Sequence, residues 1–339
     1  MTKVKQRTAK VIGCGGIQHN KFKKKLKSSN LKSKQQTKAN KNNRKAKALT
    51  SSKASTQAYS DISGTTTPSI KSKEDFLQYY QSEEKKTLQV YGHDILKYGE
   101  SLEQNESISS DFVNRHNCSI ELRVIVLQYI SDLLIKVKVE DHTFFLTVFV
   151  LDSYLNKTND TVNENNFYLI AFTSLYIASK MESLQPFTIA DVINLCQATI
   201  GREYTESEVF EKEKTIINSL NFNLISFSSY DFMKTFMCDF KVNNAERIEK
   251  MKAEKYIDLL ETKCTDILKV ISMRVQFYQY NSSLIAIAAL IVAFDILKSQ
   301  KKFTEEILHC LYTYINSLIN LSGDSKDTII KIYTEINEC

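Results

Sequence analysis

Proline and glycine are scarce in this chain, whose 339 residues contain two prolines and eight glycines. Both residue types supply the tight turns that β-hairpins need every few positions. Long helices need far fewer such turns. The scarcity therefore argues against a β-rich architecture and predicts an all-α fold.

Closely spaced cysteines are also missing. The seven cysteines are dispersed, and the chain starts without a recognisable signal peptide. Such a set indicates reduced thiols in the cytosol or nucleus. It argues against zinc ribbons and CxxC redox sites, so we expect no metal site and no other cofactor.

Membrane and catalytic signals are absent from the sequence as well. No run of 18 apolar residues occurs, so we expect no membrane span. The five histidines have no cysteine or carboxylate at ligand or nucleophile spacing, and there is no glycine-rich phosphate loop. We expect no catalytic residue and no intrinsic enzymatic activity.

Charge divides the sequence into two parts. Residues 1–60 hold 17 of the 45 basic residues and no acidic one, so the rest of the chain carries 28 basic and 39 acidic residues. Residues 1–72 contain hardly any large apolar side chains, and we expect them to form a disordered basic tail. Five tail lysines form a cluster: Lys21, Lys23, Lys24, Lys25 and Lys27.

This lysine cluster has two interpretations. It fits a signal for nuclear import, or it is simply part of a solvated tail. Together with the reduced cysteines, the first interpretation places the protein in the nucleus as well as the cytoplasm.

One segment, Asn165–Glu182, is apolar over nearly its whole helical circumference. This pattern predicts a helix buried inside a domain. Leu169–Ala178 also aligns without gaps with Leu284–Ala293, 115 residues later. Two buried helices at this spacing indicate two helical domains of about a hundred residues each, although apolar helices can also look alike by chance.

Apolar periodicity predicts five helices in each domain. The first domain spans 111–225 and the second 226–339, and a helical segment over 73–110 precedes them. In the first domain the predicted helices are Ser119–Lys136, Asp141–Leu155, Asn165–Glu182 and two that begin after Thr188 and Thr205. In the second domain they are Ala245–Leu260, Cys264–Tyr278, Ser282–Lys298, Thr304–Leu318 and Ser325–Asn337.

Capping boxes mark three of the predicted helix starts. Thr188 and Thr205 each precede an acidic residue three positions later, and Thr161 with Glu164 is predicted to start the buried helix. The aromatic-rich stretch Phe227–Phe236 is predicted to be a linker between the domains.

Two charged residues fall in apolar helix stripes. Glu213 interrupts the stripe of the fifth helix, and Lys180 continues the apolar line of the buried helix. An isolated buried charge is costly, so the simplest prediction is that Lys180 and Glu213 pair with each other or face a partner protein. Two alternatives stay open: Lys180 complements the helix dipole, or Glu213 is only partly buried.

Four segments resemble the cyclin box in order and spacing. They are Leu122–Ile130, Leu151–Leu155, Ala178–Glu182, and Glu213 followed by Phe222-Asn223-Leu224. Tyr91–Ile95 also resembles the segment that precedes the box in A- and B-type cyclins. The resemblance covers 90–236 and extends more loosely over 242–339. It implies two tandem five-helix cyclin folds, preceded by the disordered basic tail and an N-terminal helix.

The resemblance implies a protein that binds and activates the catalytic subunit of a cyclin-dependent Ser/Thr protein kinase and so regulates the cell cycle. Lys180 and Glu213, with Glu182 beside them, match the cyclin residues that face the kinase. Arg123 and Asp152 match a buried pair that braces the cyclin box.

The resemblance also implies a docking groove for Arg-x-Leu motifs, through which kinase substrates or inhibitors become partners. The groove residues by this match are Leu122, Ile125, Val126, Tyr129 and Asp132. Four positions depart from the cyclin pattern. Tyr129 stands where tryptophan is usual, Gln128 where an acidic residue is usual, Tyr168 where glutamine is expected, and Ser153 where arginine normally follows the aspartate.

A nucleic-acid-binding adaptor is the alternative function, because transcription factor IIB shares the doubled five-helix fold and the tail here is basic. That family, however, has an N-terminal zinc ribbon and basic domain surfaces, whereas the chain beyond residue 60 is net acidic. We therefore expect the folded body to bind neither nucleic acid nor a membrane.

Overall fold

The computed structural model describes residues 86–87, 90–103 and 108–338, which all belong to one compact unit, Ile70–Cys339. The predicted basic tail with its lysine cluster, and the first part of the 73–110 segment, lie outside the described residues. Within the described ranges every regular element is a helix. The all-α prediction is confirmed.

The α-helices are numbered in chain order, beginning with α1 at 90–103. In the first fold, a 3-10 helix, Phe112–Arg115, precedes α2 Ile120–Val137, α3 Asp141–Lys157, α4 Glu164–Glu182, α5 Ile189–Ile200 and α6 Glu206–Ser219. The second fold has α7 Ser229–Asn243, α8 Ala245–Met251, α9 Glu254–Ser272, α10 Ser282–Ser299, α11 Glu305–Leu321 and α12 Lys326–Glu338, with 3-10 helices at Val275–Gln279 and Gly323–Ser325. Each fold thus has five long helices, and the short α8 is additional.

Helix α4 forms the centre of the first fold. Its apolar body is buried, and α2, α3, α5 and α6 all pack against it. Thr188 and Thr205 form the capping boxes predicted for α5 and α6. The prediction for Thr161 is wrong, because α4 begins at Glu164 and the residue before it is Asn163. Asn163 and Asn166 exchange backbone-to-side-chain hydrogen bonds of 2.8 and 3.1 Å there.

The second fold is built in the same way around α10, which packs against α7, α9, α11 and α12. The aromatic stretch predicted as a linker is instead helix α7. Its start is fixed by a capping box in which the Ser228 side chain accepts from the Asp231 backbone and Asp231 accepts from Ser228.

The predicted helices Ala245–Leu260 and Cys264–Tyr278 are also wrong in their boundaries. Cys264 is buried in the middle of the continuous helix α9. The chain breaks earlier, at Lys252, whose φ of 51° is left-handed and ends α8. No glycine or proline marks that break, so the sequence gives little sign of it.

Helix α10 is long and apolar enough to cross a membrane by length and composition. In the fold, however, Ala286, Ala288, Ala289 and Ala293 on this helix are fully buried by its neighbours. Burial of this kind is the pattern of a core helix.

Helix α1 contacts the second fold and the residues that join the two folds. Ser283 donates from its backbone nitrogen to Oε1 of Glu103 at 3.1 Å and from its hydroxyl to Oε2 at 3.2 Å. Glu103 thereby accepts from a backbone N–H group at the start of α10 that has no partner within the helix. Four residues earlier, Gly99 lies so close to Phe227 that a Cβ atom would be 2.5 Å from the nearest ring carbon.

We predict that Gly99→Ala lowers the free energy of unfolding by about 1–3 kcal/mol. The added methyl group must displace the Phe227 ring, which already packs edge-on against Phe232 at 4.6 Å between centroids. Gly92→Ala is the matched control on the same helix, because open space surrounds Gly92. This control should be neutral or stabilising by up to about 1 kcal/mol. Urea unfolding of the full chain, followed by circular dichroism, measures both, and equal stability of the two variants would contradict the packing argument.

Candidate functional site

Lys180, at the end of α4, lies against Glu213 of α6. Its Nζ donates a hydrogen bond to Oε1 of Glu213 and lies 4.3 Å from the centre of the Tyr176 ring. The Glu213 side chain is only 10% exposed, whereas that of Lys180 is 38% exposed. The nearly buried carboxylate is therefore neutralised, while the ammonium keeps one side open to solvent.

Large apolar side chains are exposed on, or just beyond, the two helices that carry this pair. Met181 and Leu184 follow Lys180 and are 52% and 77% exposed, and Phe210, one turn before Glu213, is 53% exposed. Phe222, just beyond α6, is 74% exposed. We call Lys180, Met181, Leu184, Phe210, Glu213 and Phe222 the Lys180 surface. Large exposed apolar groups on the helices that carry a charged pair are common in protein-binding surfaces.

Glu182, the third residue predicted to face a partner, is engaged within the protein. Its Oε2 lies 2.8 Å from Nδ1 of His142, and Nε2 of the same ring lies 3.0 Å from Oδ1 of Asp231. Each ring nitrogen therefore faces a carboxylate, which requires the doubly protonated imidazolium. Although burial lowers the pKa of His142, hydrogen bonds and charge from Asp231 and Glu182 raise it to about 10.

Sequence reasoning missed His142. It occupies the first turn of α3, where a polar residue is ordinary, and Glu182 is 40 residues away in the chain. Only the tertiary fold brings its two partners together.

Arg123 and Asp152 form an ion pair whose side chains are both 0% exposed. Nε of Arg123 donates to Oδ1 of Asp152 at 2.8 Å, and a terminal nitrogen donates to Oδ2. Burial by itself lowers the pKa of Arg123, but the charge of Asp152 outweighs it and raises that pKa. The guanidinium is thus held in its charged form.

The same ion pair also bonds to the second fold. Arg123 donates to the carbonyl oxygens of Ser272 at 2.9 Å and of Met273 at 2.7 Å, where α9 ends. The Tyr278 hydroxyl donates to Oδ2 of Asp152. Carbonyl groups at a helix end have no partner within the helix, so Arg123 satisfies them while joining the two folds.

The residues predicted to form the docking groove lie on α2. Ile125 is 61% exposed, Leu122 and Tyr129 are half-buried, and Val126 is buried at 1% exposure. Asp132 is exposed and accepts a hydrogen bond of 3.1 Å from the Gln128 amide. Val126 therefore belongs to the core beneath this surface, and the groove itself stays a prediction.

Among the described residues no group of three or more His, Cys, Asp or Glu side chains could hold a metal ion. Burial raises the pKa of the Cys196 thiol to about 12, and it also raises the pKa of the Cys264 thiol. Neither cysteine is activated as a nucleophile.

The described residues form a doubled five-helix, all-α architecture. Two family models match the chain: the cyclin N-terminal domain over residues 94–225 and the cyclin C-terminal domain over residues 229–339. The chain belongs to the cyclin family.

Curated relatives of this chain include B-type cyclins. Cyclin-B2-1 of Oryza sativa subsp. japonica is 25% identical over 225 residues, which are 66% of this chain and 49% of the relative. The G2/mitotic-specific cyclin-B1 of Oryzias latipes is 24% identical over 207 residues, or 61% of this chain and 46% of the relative. The chain thus spans about half the length of these relatives.

A solved structure with the same fold is a viral cyclin from herpesvirus saimiri. It aligns with a TM-score of 0.52 and 16% sequence identity, covering 73% of this chain and 97% of the viral one. The prediction of tandem cyclin folds is confirmed.

We predict that Asp152→Asn lowers the free energy of unfolding by about 3–5 kcal/mol, because it leaves the buried Arg123 guanidinium without a counter-charge. Tyr278→Phe is the matched control, since it removes only one hydroxyl donor to the same carboxylate. Its expected cost is about 1–3 kcal/mol. Urea unfolding of the full chain provides the comparison. A loss from Asp152→Asn no larger than that from Tyr278→Phe would show that the ion pair is not the main contribution.

Proposed function

We propose that this protein binds a cyclin-dependent Ser/Thr protein kinase through the Lys180 surface and activates it. The observation that carries the proposal is the 38% exposed Lys180 side chain beside a nearly buried Glu213, on two helices that also expose large apolar side chains. The relationship to mitotic cyclins supports a role in the cell cycle and in cell division.

The chemistry of this pair suits recognition of a polypeptide backbone. An ammonium donates hydrogen bonds and a carboxylate accepts them, so Lys180 and Glu213 can engage a C=O and an N–H group of the same segment. By the cyclin resemblance, that segment lies beside the kinase helix that carries an essential catalytic glutamate. Docking then rotates this helix inward and completes the Lys–Glu pair of the kinase.

The exposed apolar side chains supply the buried area of such a complex. Leu184, Phe210 and Phe222 each present more than half of their surface to solvent. Phenylalanine is among the residue types enriched in protein–protein interfaces. When these side chains exclude water from the interface, the hydrogen bonds made by the adjacent charges also become stronger.

We predict that Lys180→Ala weakens kinase binding by about 2–5 kcal/mol, because it removes a desolvated charge and leaves Glu213 unpaired at the interface. Titration calorimetry of the full chain against a panel of purified cyclin-dependent kinase subunits measures the affinity. Phosphorylation of a Ser-Pro peptide by each mixture measures activation, which should fall in parallel.

Lys234→Ala is the matched control for this experiment. Lys234 pairs with Glu261 in the second fold, with side-chain exposures of 39% and 15%, close to the 38% and 10% of Lys180 and Glu213. The control should bind the kinase as the parent chain does. Parental affinity of the Lys180 variant, or equal losses in both variants, would contradict the proposed interface.

The α2 surface is proposed to receive Arg-x-Leu peptides of substrates or inhibitors. Ile125→Asp should weaken the binding of such a peptide about tenfold, because an exposed apolar contact is replaced by a charge. Ile135→Asp is the control, since Ile135 lies on the same helix and is 62% exposed against 61% for Ile125. Fluorescence anisotropy with a labelled peptide tests both, and equal affinities would remove the groove from the proposal.

A further inference from the structure

The His142 ring joins three helices from both folds. His142 lies in the first turn of α3, Glu182 in the last turn of α4 and Asp231 in the first turn of α7. Its contact with Asp231 therefore crosses from the first fold to the second, whereas its hydrogen bond to Glu182 lies within the first fold. The Lys180 surface lies at one end of this connection, because Lys180 and Glu182 are in the same helical turn.

The position of the ring is fixed by its surroundings. Oδ2 of Asp231, the oxygen that does not face His142, accepts from both the backbone nitrogen and the hydroxyl of Ser228 at 2.7 Å. The ring also stacks on Tyr230 with 6.1 Å between centroids, and Tyr230 stacks on Phe145 at 4.6 Å. The ring thus has aromatic packing on one face and a hydrogen bond at each nitrogen.

Two carboxylates face this ring directly. The charged and titratable groups on the packed elements are Glu140 and Asp141 on α3 and the turn before it, Lys180 and Glu182 on α4, Tyr230, Asp231, Lys234 and Lys241 on α7, and Glu261 and Lys269 on α9. Glu261 is bonded to both Lys234 and Lys241, and Lys180 to Glu213. Lys269 is already bonded to Asp141. Burial and these carboxylates raise the pKa of Tyr230, so the phenol adds no charge. A cation at position 142 is the group that balances Glu182 and Asp231.

We propose that His142 is a positioning residue for kinase binding, which holds Glu182, and with it the turn of α4 that carries Lys180, at a fixed place relative to the second fold. This inference rests on the proposed function of the Lys180 surface. A neutral side chain at position 142 can donate a hydrogen bond to only one of the two carboxylates. It presents a hydrogen-bond acceptor, or no polar group at all, to the other carboxylate. The end of α4 would then be free to shift relative to Glu213.

The charge state of the ring is the first test. The proposal requires His142 to stay doubly protonated through the physiological range, in contrast to an ordinary histidine with a pKa near 6.5. Nuclear magnetic resonance of the full chain, with the ring signals assigned by their loss in His142→Gln, should show no titration between about pH 5.5 and 8.5. A midpoint near 6.5 would overturn the proposal.

Kinase affinity is the second test. His142→Gln should weaken binding about tenfold, and less than additively in combination with Lys180→Ala, because both act through the same turn of α4. His142→Arg should restore most of the affinity, since a guanidinium is planar, charged and able to donate in two directions. His309→Gln, at an exposed position of α11, is the control and should have no effect.

The outcomes separate this inference from the proposed function. If Lys180→Ala weakens binding while His142→Gln does not, the positioning role is wrong and the kinase interface stands. If neither variant weakens binding, both are wrong. Loss in His142→Gln without recovery in His142→Arg would also overturn the role of charge and leave only a packing role for the ring.

Discussion

The buried ion pair of Arg123 and Asp152 sets the arrangement of the two folds. Two charges without solvent are stable only if nearly all of their hydrogen-bonding capacity is used. Here part of that capacity is used by the second fold, through the Ser272 and Met273 carbonyl groups and the Tyr278 hydroxyl. Separating the folds would leave Arg123 and Asp152 paired with each other, but it would remove their remaining hydrogen bonds and the partners of the helix end. The relative placement of the folds is therefore a condition for the stability of the first one.

Helix α3 is attached to the second fold near both of its ends. Asp152 holds it near its C-terminal end, and Asp141 and His142 in its first turn bond to Lys269 and Asp231 of the second fold. The two attachment points are about three helical turns, or ~16 Å, apart. A helix attached at two such points cannot rotate against α9, which packs alongside it. Helices α4 and α6, which both pack against α3, are thereby held on a rigid support.

The internal repeat clarifies which features of the Lys180 surface the fold itself requires. Lys180 aligns with Asp295, and Glu213 and Tyr333 are each the eighth residue of the fifth long helix of their fold. In the second fold the Tyr333 hydroxyl donates to Asp295 at 2.9 Å. A polar link between the third and fifth helices is thus common to both folds. An exposed ammonium is not, because the second fold makes the link with a phenol and a carboxylate.

Local sequence signals predicted most of the first fold and less of the second. Periodicity located α2, α3 and α4 within about two residues, and glutamate in the apolar stripe of α6 pointed to its pairing with Lys180. The start of α7 had a signal, Ser228 followed by Asp231 three residues later, but the aromatic content of the segment obscured it. The break at Lys252 had no local sequence signal, because it depends on a left-handed backbone conformation at a lysine. The contacts of His142 had no local signal either, because its partners are distant in the chain.

Phe222 shows how local strain relates to this surface. Its φ of 60° follows a φ of 52° at Asn221, and the left-handed region costs roughly 1–2 kcal/mol for a residue with a side chain. The hydrogen bond from the Phe222 backbone nitrogen to the Ile217 carbonyl, at 3.0 Å, holds this conformation at the end of α6. The Phe222 ring is 74% exposed, so burial of the ring does not offset the energetic cost of the strained backbone. Backbone strain thus holds an exposed aromatic ring just beyond the C-terminal end of α6, and a partner that covered this ring would supply the burial that the isolated chain does not.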